Sequence, residues 1–247
     1  MSQAVIITGA LGGIGRSLCQ VFRERGFAVL AIDRAPGEVG SHRFFHADIS
    51  KLASESGDPS HLVEGIRDCL TSDGLKLRGI INNAAIQILG GVESLNLAAW
   101  NETLQTNLLA PFFLCQHFIK ELEENDGSIV HISSIHEKLT KSGFVAYATS
   151  KAALSGMTRA MAVDLGARVR VNAICPAAIS TPMLEAGFDG NPEGFAALHM
   201  AHPSGRIGLP QEVAALAHFL VAEAPRFLTG SCLGLDGGIS GRLHDPA

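Results

Sequence analysis

Short runs of Val, Ile, Leu and Ala recur along the chain, and between them apolar residues fall three and four positions apart. The runs predict strands at Ala4–Thr8, Phe27–Ile32, Arg43–Ala47, Leu77–Asn82, Ser128–Ser133, Val169–Ile174 and Cys232–Leu235. They are nearly continuous in hydrophobicity, the pattern of strands covered on both faces of a parallel sheet. The stretches between them predict helices over 13–25, 58–72, 97–124, 144–166 and 210–222. Alternation of this kind marks an α/β fold, a parallel sheet wrapped by helices. With no repeat, low-complexity tract or linker to divide it, 1–247 reads as one domain.

Two segments break the rhythm. Arg34–His42 carries Pro36, Gly37 and Gly40 and is too short and turn-rich for a full helix. Met183–Gly205 is rich in Gly and Pro, with Phe188, Phe195, Leu198 and Met200 interspersed. It reads as a long loop, either a lid over a binding site or a surface excursion.

Composition narrows the class. Of 247 residues, 47% are hydrophobic and 17% charged, the balance of a well-buried globular chain. A net charge of −5 with no basic cluster argues against a nucleic-acid or anionic-membrane partner. No apolar stretch is long enough to span a bilayer. Met1-Ser2-Gln3 runs into a strand without a signal peptide's basic start, so a cytoplasmic location is expected. Cys19, Cys69, Cys115, Cys175 and Cys232 are scattered without metal-ligand spacing; they read as small core residues, and no metal is expected.

Thr8-Gly9-Ala10-Leu11-Gly12-Gly13-Ile14-Gly15 joins the first predicted strand to the first helix. Glycines there let the backbone approach a pyrophosphate, and a helix N-terminus offers unpaired N–H groups and partial positive charge. The spacing is Gly-x-x-x-Gly-x-Gly, a variant of the dinucleotide fingerprint in the position that fingerprint requires. Asp33, ending the second strand, would accept hydrogen bonds from the ribose hydroxyls of adenosine and repel a 2′-phosphate. NAD(H) is therefore expected over NADP(H), with the adjacent Arg34 the one residue placed to pair with that phosphate.

Tyr147-Ala148-Thr149-Ser150-Lys151 follows, with Ser134 upstream. On a helix, positions i and i+4 share a face, so a phenol and an ammonium stand side by side. A tyrosine ordinarily titrates near ~10, too high for a base at neutral pH, and a neighbouring cation favours the phenolate. A serine hydroxyl could hold the substrate oxygen whose proton the tyrosine takes.

Together these motifs resemble the short-chain dehydrogenase/reductase family, over essentially the whole chain and in the family's order. Thr8–Gly15 matches its cofactor turn, Asp48-Ile49 its adenine-holding pair, and Asn82-Asn83-Ala84-Ala85 its Asn-Asn-Ala-Gly turn. Asn107 falls where the family has its tetrad asparagine, joining Ser134, Tyr147 and Lys151. Pro176 to Thr181, including Ile179, resembles the segment that grips the nicotinamide carboxamide; Gly205–Pro210 and Asp236-Gly237-Gly238 also match. The resemblance implies a Rossmann-like, doubly wound sheet of seven parallel strands in the order 3-2-1-4-5-6-7. It also implies reversible hydride transfer at an alcohol carbon. In that scheme Tyr147 is the general acid/base and Ser134 polarises the carbonyl. Lys151 lowers the pKa of Tyr147 and holds the nicotinamide ribose, and Asn107 supports a relay water.

The chain departs from the family at four places. Ala85 and Ala177 replace glycines, so either backbone must avoid glycine-only angles. His131 stands where Asn is usual and reads as a satisfied core residue rather than a catalyst. The short Arg34–His42 connection removes most of a helix and leaves the adenine end more open. Gln87, Ile88 and His136 lie where substrate should enter, His136 either lining the pocket or solvated.

From Val171 through Gly205 there is no Lys or Arg, while Glu185, Asp189 and Glu193 are present. An acidic, partly apolar lid favours a small neutral alcohol or ketone over phosphate, carboxylate or CoA. The 144–166 helix is apolar around most of its circumference, which points to a homodimer or homotetramer. Two alternatives stay open: an NADPH-dependent 3-oxoacyl-carrier-protein reductase, and a non-enzymatic nucleotide sensor on the same fold.

Overall fold

In the computed structural model, which describes residues 2–53 and 60–243, the apolar runs become seven strands of one sheet. They are β1 (Gln3–Thr8), β2 (Ala28–Asp33), β3 (Arg43–His46), β4 (Lys76–Asn82), β5 (Ser128–Ile132), β6 (Arg170–Pro176) and β7 (Cys232–Leu235). Their order is β3-β2-β1-β4-β5-β6-β7 and every pair is parallel. The expected strands therefore stand, with ends moved by a residue or two.

Period-two geometry sends successive side chains to opposite faces, and both faces are apolar. On β1, Ala4 and Ile6 pack with Ile66, Leu114 and Phe118, whereas Val5 and Ile7 pack with Leu18, Phe22 and Val213. Phe22 and Phe118 are fully buried, so truncating either to Ala should cost about 3–5 kcal/mol. Around the sheet lie α1 (Gly13–Glu24), α2 (Ser60–Ser72), α3 (Leu97–Leu104), α4 (Ala110–His117), α5 (Ile119–Glu124), α6 (Val145–Leu165), α7 (Pro182–Ala186), α8 (Pro192–Ala201) and α9 (Pro210–His218). The expected start of α2 at 58 lies outside the described residues.

Three expectations need correction. The 97–124 stretch is not one helix: a π turn at Gln105–Leu109 separates α3 from α4, and Phe118 (φ −119°) breaks α4 from α5. The π turn carries Asn107, whose amide is drawn onto the backbone of Ile86. Second, 183–205 is not a loop but holds α7 and α8. Thr181 Oγ1 accepts from Leu184 N (3.3 Å) and Asn191 Oδ1 from Gly194 N (2.9 Å), each cap followed by a helix-starting proline. Third, the 210–222 helix leaves α-geometry after His218 and finishes as a π turn, Phe219–Glu223.

The Arg34–His42 connection has no helix, as expected. Arg16 donates to Glu38 O (3.4 Å) and Arg23 to Gly40 O (3.2 Å), pinning it to α1. No helix among the described residues is long and apolar enough to cross a membrane. Chain order reverses between β1 and β4, which opens a crevice at the carboxyl ends of these strands.

Candidate active site

The glycine turn forms one wall of that crevice. Gly9 has φ +65°, and a Cβ there would lie 2.7 Å from Ala84 Cα. At Gly15 it would lie 2.0 Å from Gly9 O, and at Gly13 2.8 Å from Thr181 Cγ2. The Thr8 hydroxyl accepts from Asn83 N and Ala84 N (3.0 Å each), while Asn83 Nδ2 donates to Thr8 O and Gly9 O (3.0 Å each). The two turns are thus welded together. Gly12 gives α1 no side-chain cap, so its first N–H groups, around Ile14, stay available to an anion. This bare-backbone cradle fits a dinucleotide pyrophosphate.

Further along, the Asp33 carboxylate accepts from Leu11 N (2.9 Å) and Ala35 N (3.0 Å), fixed beside the turn with lone pairs to spare. Asp48 is exposed, and its Oδ1 accepts from Ser50 N (3.0 Å) and Ser50 Oγ (2.8 Å). Ile49 is buried in the core beneath it. A cavity of about 470 Å³ opens here, lined by Arg34, His46, Asp48, Lys51 and His61 among others. The short connection after β2 leaves it uncovered. On the opposite side, Pro176 ends β6, Ile179 is buried and bridges to Gly208, and Thr181 caps α7.

Ser134, Tyr147 and Lys151 meet across β5 and α6. Ser134 follows β5 and hydrogen-bonds to Tyr147; its Oγ also accepts from His136 N (3.2 Å). Lys151 is 2% exposed; its Nζ donates to Ile132 O (2.8 Å) and stands 5.7 Å from the centre of the Tyr147 ring. Burial dominates both groups. It pushes the Tyr147 phenol above its ordinary value, against the Ser134 hydrogen bond, and pushes Lys151 down to about 8. Of the two opposing influences on the phenol, burial is the larger.

Asn107 is 1% exposed, and its amide clamps Ile86 from both sides: Oδ1 accepts from Ile86 N (2.8 Å) and Nδ2 donates to Ile86 O (2.9 Å). The remaining amide hydrogen goes to Ser150 Oγ (3.0 Å), which itself donates to Tyr147 O (2.7 Å).

His136 is half-buried, stacked on Phe144 (4.6 Å between centres) and edge-on to Tyr147 (5.6 Å). It lines the same space as the phenol. Gln87 is exposed at the rim. His131 is fully buried and only half satisfied: Asn82 Nδ2 donates to its Nδ1 (3.1 Å), while its Nε2 has no partner among the described residues. Burial, with the Lys151 charge nearby, drives it down to about 3, so it is neutral and no proton donor. Ala85 and Ala177 both avoid positive φ; among non-glycine described residues only Asp126 adopts it. The sequence reading gave no role to Ser150, although it stands inside the Tyr147–Lys151 motif, and missed Phe144, which lies outside any motif.

A family profile described as Enoyl-(Acyl carrier protein) reductase matches residues 9–240. D-threitol dehydrogenase of Mycolicibacterium smegmatis is 31% identical, over 96% of this chain and 92% of that protein. Acetoacetyl-CoA reductase of Acinetobacter sp. is 29% identical, over 96% of this chain and 97% of that protein. Among solved structures, aldohexose dehydrogenase of Thermoplasma acidophilum superposes with a TM-score of 0.91 at 30% identity, covering 100% of this chain and 97% of that one. ElxO with NADP bound gives 0.86 at 25% identity, covering 98% of this chain and 100% of that one.

Proposed function

The chain belongs to the short-chain dehydrogenase/reductase family and is an NAD(P)-dependent oxidoreductase, and we propose that it interconverts a neutral secondary alcohol and its ketone. The observation that carries this reading is the Tyr147 phenol, with Ser134 beside it and the Lys151 Nζ 5.7 Å from its ring centre. When bound, the nicotinamide takes or returns the hydride. The Tyr147 phenolate accepts the alcohol proton as the carbon–hydrogen bond breaks, and in the reverse direction the phenol returns it to the carbonyl oxygen. Ser134 holds the same substrate oxygen, and Lys151 supplies charge beside both. Asn107 is a positioning residue that fixes Ile86 and, through Ser150, the turn carrying Tyr147.

NAD(H) is the preferred carrier in this reading, because the Asp33 carboxylate, held by Leu11 N and Ala35 N at the end of β2, would repel a 2′-phosphate. The substrate is neutral. The helices of 183–205 carry acidic groups and an aromatic pair, Phe188 and Phe195 (5.5 Å between centres), and act as its lid. D-threitol and aldohexoses, named for two similar proteins, are neutral polyols and sugars. The chain works as one domain assembled into a homodimer or homotetramer; Val163 on α6, with Leu109 and Phe112 around the start of α4, exposes apolar surface.

A second reading, an NADPH-dependent reductase of acyl thioesters, draws support from the Arg34 and Lys51 side of the adenine-end cavity and from the similarity to acetoacetyl-CoA reductase. The deciding experiment offers NAD⁺ or NADP⁺ with neutral polyols and sugars, and NADH or NADPH with acetoacetyl-CoA, while following nicotinamide absorbance. Turnover of polyols with NAD⁺ that vanishes in Tyr147→Phe supports the first reading. Turnover confined to acetoacetyl-CoA with NADPH overturns it.

A further inference from the structure

Behind the catalytic helix the fold gathers three potential ligands that lie far apart in sequence. Glu137 comes from the short turn after Ser134, Cys175 from β6 and Cys232 from β7. One carboxylate oxygen and the two sulfurs all lie within 4.8 Å of one another. The Glu137 side chain is only 6% exposed, an unusual depth for a carboxylate whose neighbours include two thiols. Cys175 is buried and Cys232 half-buried, so the cluster reaches solvent on the Cys232 side. We propose that Glu137, Cys175 and Cys232 form a binding site for a thiophilic divalent cation, zinc in its simplest form.

The argument is geometric. Zinc takes thiolates at about 2.3 Å and carboxylate oxygens at about 2.0–2.2 Å, so tetrahedral ligand atoms sit roughly 3.5–3.8 Å apart. Three atoms already inside a 4.8 Å circle reach that spacing by small side-chain rotations. Two of them stand on paired parallel strands, where Ala173 faces Cys232 and Cys175 faces Gly234, so the sulfurs share one face of the sheet. Binding needs no oxidant: two thiol protons leave and two metal–sulfur bonds form, with water at the solvent-facing fourth position. Lys138, 3.3 Å from Glu137 and 70% exposed, would swing away, and Arg159, 3.6 Å from Cys232, would turn toward solvent.

A second shell is present as well. Ser155 hydrogen-bonds to Glu137, its hydroxyl meets Ser133 (3.0 Å), and its carbonyl accepts from Cys232 (3.7 Å). Ser155 lies one helical turn beyond Lys151. The cation would therefore tie the segment bearing Ser134 and His136 to the last two strands. A second such group among the described residues, His42, Cys69 and Asp73, offers one thiol and has its histidine and carboxylate already joined at 2.6 Å, so it serves as the control.

The test adds Co²⁺ to the full-length, fully reduced protein and records the thiolate-to-cobalt charge-transfer band and the thermal midpoint. The expected result is a band that saturates at one equivalent, is bleached by Zn²⁺ and survives Cys69→Ala. It should weaken at least tenfold in Cys175→Ser/Cys232→Ser, and affinity should drop in Glu137→Gln. Zn²⁺ should raise the midpoint of the wild type but not of the double variant. Retained dinucleotide binding would show that the variants fold; should the double variant fail to fold, the wild-type and Glu137→Gln titrations decide alone. No band at one equivalent, or an undiminished band in the folded double variant, overturns the proposal.

Discussion

Asn107 is joined to Ser150 by a 3.0 Å hydrogen bond, and Ser150 lies on the turn between Tyr147 and Lys151. The π turn that carries Asn107 therefore grips α6 and the Ile86 backbone with one amide. Ser150→Ala should lower kcat about 2–10-fold, the worth of one hydrogen bond, with little change in KM. Asn107→Ala should also lose roughly 2–4 kcal/mol of stability, since it strands both Ile86 groups. Steady-state kinetics and urea unfolding measure the two effects.

Tyr147 is the only tyrosine in the chain, so its ionisation can be read directly from phenolate absorbance. For the protein alone the transition should lie above the ordinary 10, because burial outweighs the pull of Ser134. NAD⁺, whose ring carries a positive charge, should move it to lower pH, whereas NADH should not. An unshifted transition with NAD⁺ would remove Tyr147 from the role of base.

His131 makes the fold acid-sensitive. Its folded value of about 3 lies below the ordinary 6.5, so the unfolded chain binds the extra proton and stability falls as pH drops from 6.5 toward 3. By pH 5 this group alone should remove about 2 kcal/mol. Urea unfolding at pH 7 and pH 5 should show that loss in wild type and not in His131→Gln.

Asp33→Ser should raise the NADP⁺/NAD⁺ ratio of kcat/KM by at least ~10-fold, by removing one charge beside the 2′-position. Overall affinity should also weaken, because Leu11 N and Ala35 N lose their acceptor. Kinetics with each nucleotide at fixed substrate test both parts.

Strand positions, the glycine cradle and the pairing of Tyr147 with Lys151 were legible because each rests on local pattern or motif spacing, whereas the sheet order followed only from the family resemblance. The helices of 183–205 were hidden because Gly and Pro content outweighed two helix starts, Thr181-Pro182 and Asn191-Pro192, that Asx/Thr caps before proline announce. The breaks in 97–124 depend on where Asn107 finds its partner, a contact with Ile86 that no helical periodicity encodes. Burial at Tyr147 and Lys151 was hidden for a related reason: spacing places the ammonium beside the phenol but says nothing of depth.

Thr181 touches two things at once: it caps the first helix of the lid, and its methyl lies where a side chain on Gly13 would be. A nucleotide settling on the glycine turn would share that space and press on the footing of α7. On the proposed reading the nucleotide should therefore bind before the substrate. Product inhibition by the reduced nucleotide should then be competitive against the oxidised nucleotide and noncompetitive against the substrate, which initial-rate kinetics can check.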